Sequence, residues 1–176
     1  MHVDAMPHAA KGDLHAMVHE ALAVHALCEK LKLPHYAKTT GSTGIHVLIP
    51  LGRHLTYEQS RAFGELLSRV IVGQMPEIAT VVRAVQRRDG KVYLDYMQNA
   101  HGQLIVSPFS VRPLPGAPVS MPITWDEVND SLDMKAFTIR TAVQRMERLG
   151  DPMATVLTDT PDLLSALTAL HELDVT

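Results

Sequence analysis

Cysteine is almost missing from this chain of 176 residues, where Cys28 stands alone. That excludes an internal disulfide and any zinc site built on several thiolates. Cys28 falls within an apolar helical pattern, so it reads as a small core residue and not as a nucleophile. Long apolar runs are also lacking, and the opening stretch MHVDAMPHAAKGD has no apolar signal core. A soluble cytoplasmic protein with no membrane partner is therefore expected. A strong excess of one charge is absent too, the formal net charge being −3. Overall charge thus does not advertise nucleic-acid binding, which needs clustered cations. The local exception is Arg83, Arg87, Arg88 and Lys91, a run that reads equally as a solvated face or as a phosphate contact. Internal repeats and low-complexity linkers are not found.

What is present is enough for a core. Hydrophobic residues make up 46 % and charged residues 20 % of the chain, which fits one globular domain over residues 1–176. Residues 1–12 carry few structure signals. Asp13 is placed to cap a helix running to about Lys32, with Leu14, Met17, Ala21, Val24, Cys28 and Leu31 as its buried stripe. Pro34 ends it. Residues 35–40 and 44–51 read as strands, the second alternating Ile45, Val47 and Ile49 with His46 and Leu48.

A second helix opens on a Thr56/Gln59 capping box, with Phe63, Leu66, Leu67, Val70 and Ile71 facing inward. Residues 79–88 fit helix or strand alike. Asp89-Gly90 turns into a strand at Lys91–Met97, and Gly102 into another at Gln103–Ser107, so a hairpin is expected. Three prolines make Arg112–Pro118 a constrained loop. Helices are expected near 124–130, 137–148 and 161–172, the last capped by Thr160 with Pro161 in its first turn. Interleaved strands and helices give an α+β (mixed α/β) class with a mixed sheet.

Four places could carry chemistry. Asp95 lies in the apolar strand KVYLDYM, where a carboxylate must be paired, hydrogen-bonded or metal-bound. Gln98 and Asn99 follow at the strand end. The loop Lys38-Thr39-Thr40-Gly41-Ser42-Thr43-Gly44 offers close backbone approach and hydroxyls suited to phosphate oxygens, or is simply a hairpin loop. It lacks the GK[ST] ending of a Walker loop. His46, just beyond, is a core histidine or a donor to a triphosphate. Arg112 stands before the rigid proline loop, as a surface arginine or as a held guanidinium for phosphate. His15 and His19 are spaced as a metal pair on a helix, but no acidic third ligand is evident.

Taken in order, the segments KTTGSTGIHVLIPL, KVYLDYMQNAHGQLIVSPFSVRPLPGAPVSMPITWDEV and FTIRTAVQRMERLGDP resemble the polymerase domain of bacterial DNA ligase D. That domain belongs to the archaeo-eukaryotic primase superfamily. The resemblance runs from about Ala21 to Pro152. It implies a primase-polymerase palm and a nucleotidyltransferase of DNA repair by non-homologous end joining. Nucleoside triphosphates and DNA ends are the implied partners, and divalent manganese or magnesium the implied cofactor.

Carried over motif by motif, Asp95 corresponds to a catalytic metal carboxylate. Thr40, Ser42 and His46 correspond to triphosphate contacts, and Arg88, Gln98 and Arg112 to the nucleotide pocket. The family's Asp-x-Asp-Pro motif is matched by Asp4-Ala5-Met6-Pro7, so Asp4 takes the first metal position and Met6 replaces the second aspartate. Thr40 and Thr43 stand where the family usually has serine and often has lysine. Family domains also carry a segment ahead of the first motif, with part of the pocket for a DNA 5′-phosphate. The expectation is thus an N-terminally truncated domain, weak or inactive alone. A separate polypeptide or ligase would supply the missing part, or a homodimer would cover the exposed surface. The alternative is a non-catalytic nucleotide- or DNA-binding module, or a fold remnant. On the residues alone, Asp95 and His46 should lie on adjacent strands with side chains converging on one open face.

Overall fold

The structure is a computed structural model that describes residues 2–6, 14–53 and 55–174. Its centre is one six-stranded sheet. The strands are β1 (His2–Met6), β2 (Tyr36–Thr39), β3 (Ile45–Leu48), β4 (Ala79–Thr80), β5 (Val92–Asp95) and β6 (Pro122–Ile123), in the spatial order β4-β5-β1-β3-β2-β6. All pairings are antiparallel except β4 with β5, so the sheet is mixed. Residues 2–6, which carry few strand signals, form an interior strand between β5 and β3. Gln103–Ser107 is not a strand. The hairpin expected there is absent because β5 takes its antiparallel partner from β1 instead.

Strand alternation sorts the side chains. Ala37, Ile45, Val47, Val92, Leu94 and Ile123 enter the hydrophobic core, while Lys38, His46, Tyr93 and Asp95 occupy the alternate positions and face the other way. Helix α1 (Leu14–Lys30) covers the apolar face, packing on β1, β3 and β5 through Met17, Ala21, Val24 and Cys28. Its proposed cap, Asp13, lies outside the described residues. It ends in a left-handed residue, Lys32 (φ 54°). The Leu33 amide donates back to the Cys28 carbonyl at 2.9 Å, the reversal that closes many helices before a proline.

Helix α2 (Tyr57–Gln74) starts at the expected box, with Gln59 N–H donating to the Thr56 hydroxyl and Thr56 N–H donating to the Gln59 carboxamide. Its apolar stripe meets α4 (Leu163–Asp174), which buries Ala166 and Leu170. The cap of α4 is Asp162, which accepts from Ser165 N–H at 3.1 Å, and not Thr160. Helix α3 (Ala142–Leu149) is fastened by Arg145, which donates to both oxygens of Glu127 at 2.6 and 2.5 Å. Between 79 and 88 the ambiguous pattern resolves into β4 and a 3-10 turn at Val85–Arg87. The segment 124–130 is likewise only a 3-10 turn, at Trp125–Glu127.

Candidate functional site: a polar row across the sheet

Four chemistry-bearing residues fall on one transverse row. Asp4 pairs in register with Asp95 on one side and with His46 on the other, and His46 pairs in register with Lys38. Residues directly opposed in antiparallel strands share a face. The row therefore reads Asp95, Asp4, His46, Lys38 across β5, β1, β3 and β2. Two expectations need correcting. Asp95 and His46 are on the same sheet and face, but β1 separates their strands. The face is not open at this point: His46, Asp95 and Lys38 are 5 %, 7 % and 0 % exposed.

Asp95 ends β5, where the backbone turns. One carboxylate oxygen accepts the Met97 amide at 2.9 Å and the Tyr93 hydroxyl at 3.4 Å, and the other accepts Gln98 Nε2 at 3.5 Å. These donors are neutral, so they orient the carboxylate without neutralising it. Burial, and then the charge of Asp95, push the Tyr93 phenol up to about 12, which keeps it a donor. Arg88 covers the same tyrosine, its guanidinium carbon 4.2 Å from the ring centroid. Its Nε and Nη2 donate to the carbonyls of Val82 and Arg83 at 3.1 and 2.8 Å. Arg88 is thus a buried brace next to the row, while Arg83 and Arg87 of the same basic run are exposed. Asn99 closes the turn after β5 by donating to the Tyr96 carbonyl at 2.8 Å.

At the other end of the row, Lys38 Nζ lies 2.6 Å from His46 Nδ1 and donates to Ser120 Oγ at 2.8 Å. The Ser120 hydroxyl passes its own proton to the Thr39 carbonyl at 2.8 Å. With the ammonium as donor, His46 Nδ1 accepts and Nε2 carries the proton. The role of Lys38 escaped the sequence reading, which saw it only as the first residue of the loop. Its full burial is the signal, and that is a property of the fold.

The loop between β2 and β3 is prearranged. Thr40 Oγ1 accepts the amides of Ser42 and Gly44 at 3.1 and 3.0 Å, leaving its hydroxyl proton to donate elsewhere. Ser42 and Thr43 are exposed at the tip. Arg112 arches over the loop, with Nη1 donating to the Thr40 carbonyl at 3.0 Å. It is held there by the constrained proline segment, which Val111 and Val119 close with a β-bridge. Gly41 must be glycine: its φ is +69°, and a Cβ would sit 2.7 Å from Arg112 Cγ and 2.9 Å from Ser120 N. Thr40, Ser42 and Arg112 thus belong to one corner, with Asp95 and Gln98 at the opposite end of the row.

Among other groups, Cys28 is buried and its thiol is pushed up to about 12 by burial, with the Glu29 charge adding to it, which leaves it inert. The acidic neighbour missing from the His15/His19 pair is supplied by Asp130, whose Oδ1 is 2.8 Å from His15 Nδ1.

The mixed sheet thus sets carboxylates and a hydroxyl-bearing loop along one polar row. The chain belongs to the LigD primase-polymerase domain family, whose profile matches residues 1–153. It is 34 % identical over 144 residues to the bifunctional non-homologous end joining protein LigD of Bacillus subtilis, covering 81 % of this chain and 24 % of that protein. It is 32 % identical over 130 residues to the multifunctional LigD of Pseudomonas aeruginosa, covering 73 % of this chain and 16 % of that protein. The chain thus spans a quarter or less of the length of these curated relatives. In fold it resembles the polymerase domain of Mycobacterium tuberculosis ligase D, solved in complex with DNA. The TM-score is 0.81 at 24 % identity, over 92 % of this chain and 55 % of that one. No helix among the described residues is long and apolar enough to cross a membrane.

Proposed function

We propose that this chain is a nucleotide-binding primase-polymerase domain of DNA end joining whose transfer chemistry is weak. The observation that carries this reading is the row itself, which sets Asp4 and Asp95 in register and His46 beside them. A nucleoside triphosphate would approach its loop end, where Ser42 and Thr43 are exposed, and would have to uncover the buried part of the row to reach Asp95. The hydroxyls of Thr40 and Ser42, and Arg112, would donate to phosphate oxygens, as charge-assisted donors do best, with His46 beside them. Gln98 and the Arg88-braced turn would face the nucleotide from the β5 side. A DNA end would supply the acceptor hydroxyl.

Asp95 fits a divalent cation: it is a buried carboxylate whose hydrogen-bond donors among the described residues are neutral, and Asp4 stands next to it in register. A magnesium or manganese ion held by these two residues would neutralise triphosphate charge. A second ion has less support. Met6 lies two positions along β1 from Asp4, in register with Tyr93, and a thioether is a poor ligand for a hard cation. That substitution favours binding over turnover, and a non-catalytic nucleotide- or DNA-binding module is the second reading.

The test pairs two measurements on the purified chain. Nucleoside-triphosphate binding should require manganese or magnesium and should be lost in Asp95→Ala and His46→Ala. Manganese-dependent extension of a DNA end should be slow or absent. Binding without extension supports the second reading, and no nucleotide binding at all sinks the first and leaves of the second only a DNA-binding module.

A further inference from the structure

A second constellation lies away from the polar row, where α1 ends and the chain turns back into β2. His25 and Glu29 are four residues apart on α1 and so share one helix face. The left-handed turn at Lys32, followed by Pro34, returns the chain so that His35 meets them. His25 Nδ1 is 2.6 Å from His35 Nε2, and Glu29 Oε1 is 3.7 Å from the same nitrogen. Ligand atoms of all three lie within 4.8 Å of one another.

We propose that His25, Glu29 and His35 form a binding site for a divalent transition-metal cation of the zinc class. The tautomer of His35 is set by a main-chain partner, its Nδ1 donating to the Leu33 carbonyl at 2.8 Å. That leaves the Nε2 lone pair directed at His25 and Glu29, the outer hydrogen bond that orients most metal-binding histidines. Trp125 packs against both rings, lying 5.0 Å from that of His35 at a 45° tilt. It stacks on His25 with centroids 4.3 Å apart and planes 16° from parallel, and its indole N–H donates to the His35 carbonyl at 3.3 Å.

Tetrahedral zinc with bonds of about 2.0–2.1 Å needs ligand atoms roughly 3.3 Å apart. The two imidazole nitrogens, 2.6 Å apart, must therefore separate by about 0.7 Å, and the carboxylate, whose distances in the trio range up to 4.8 Å, must swing in toward both. Glu29 can do so because its side chain is 67 % exposed, whereas that of His35 is 4 % exposed. Solvent would complete the fourth position. Two imidazoles and one carboxylate suit zinc, cobalt or nickel, and not calcium or magnesium, which take oxygen ligands. The His15/His19/Asp130 group is the weaker candidate, since all its members are exposed. A cation at the proposed site would staple the end of α1 to the entry of β2, the strand that carries Lys38.

Trp125, the single tryptophan, reports on the site directly. The untagged chain is titrated with cobalt alone, reading visible absorption and Trp125 emission, and then competed with zinc. One equivalent should bind with the intense bands of tetrahedral cobalt, quench Trp125, and be displaced by zinc, while zinc raises the melting temperature. His35→Gln should weaken binding at least tenfold. Glu29→Gln, at an exposed position that does not threaten folding, should weaken it severalfold. His15→Ala should leave the Trp125 response unchanged. The proposal is overturned if Trp125 emission does not respond to cobalt, if Glu29→Gln binds as tightly as the parent, or if His15→Ala alone removes the response.

Discussion

Lys38 Nζ and His46 Nδ1 are 2.6 Å apart on neighbouring strands, inside the protein, with Ser120 as the second acceptor of the lysine. The pair lies fully inside the protein beneath the corner assigned to the triphosphate. Lys38→Met keeps the volume and removes the charge. Removing one partner leaves the buried His46 Nδ1 and Ser120 Oγ without this donor, so stability should fall by about 1–3 kcal/mol. Nucleotide affinity should fall by roughly 1.5–3 kcal/mol, the worth of a charged hydrogen-bonding partner. Calorimetric titration with a nucleoside triphosphate checks this, and unchanged affinity would remove Lys38 from the site.

The corner formed by Arg112 and the β2–β3 loop separates binding from folding. Arg112→Ala should cost roughly 1.5–3 kcal/mol of nucleotide affinity, with a smaller effect on stability. Gly41→Ala should act the other way round, because the new methyl meets Arg112 Cγ and the Ser120 amide at a positive φ. A loss of about 1–3 kcal/mol of folding stability is expected from such overpacking, read by denaturant unfolding. Wild-type stability in Gly41→Ala would mean that the loop rearranges freely.

Much of the architecture could be read from local pattern. The stripe of α1, the capping box of α2 and the alternation around His46 are local signals, and each appears where its periodicity places it. Asp95 stood out because a carboxylate in an apolar strand has to be accommodated. The interior strand β1 was not legible: HVDAM is short and weakly patterned, and it becomes a strand because β3 and β5 pair with it on both sides. For the same reason Asp95 and His46 were placed one strand too close. Lys38 was passed over because lysine is rarely buried, and its partners His46 and Ser120 are 8 and 82 residues away. The contact of Asp130 with His15 spans 115 residues, beyond any local motif.

Glu20 is the acid without a counterpart. It is fully buried in α1, and neither carboxylate oxygen has a hydrogen-bond partner among the described residues. Burial holds its carboxyl well above the ordinary glutamate range. The folded state therefore keeps the proton in a pH window where the unfolded state has released it. Stability from this group is fully present below the ordinary glutamate value and is lost as pH rises toward the raised folded value. Glu20→Leu should remove that slope and stabilise the protein at neutral pH by about 1–3 kcal/mol, the cost of an unsatisfied buried polar group. Denaturant unfolding across acidic to neutral pH checks it. Parallel pH profiles for the two proteins would show that Glu20 is solvated after all.

The sharpest prediction concerns β1. Asp4 and Met6 are alternate residues of one strand, in register with Asp95 and Tyr93 respectively, so they belong to one face. An aspartate in place of Met6 would add a hard oxygen donor where the family motif has one. Met6→Asp should tighten manganese binding in the presence of nucleotide at least tenfold, which corresponds to about 1.4 kcal/mol. It should also raise extension of a DNA end above the parent's level. Adding Asp95→Ala to Met6→Asp should return both to baseline, because the new carboxylate cannot hold the ion without the buried one. Manganese-dependent nucleotide binding by calorimetry and primer extension, run side by side, separate the two effects. If Met6→Asp binds manganese no better than the parent, the row is not a metal site. If the parent already extends DNA efficiently and loses that in Asp95→Ala, the two carboxylates suffice and the proposed weakness is wrong.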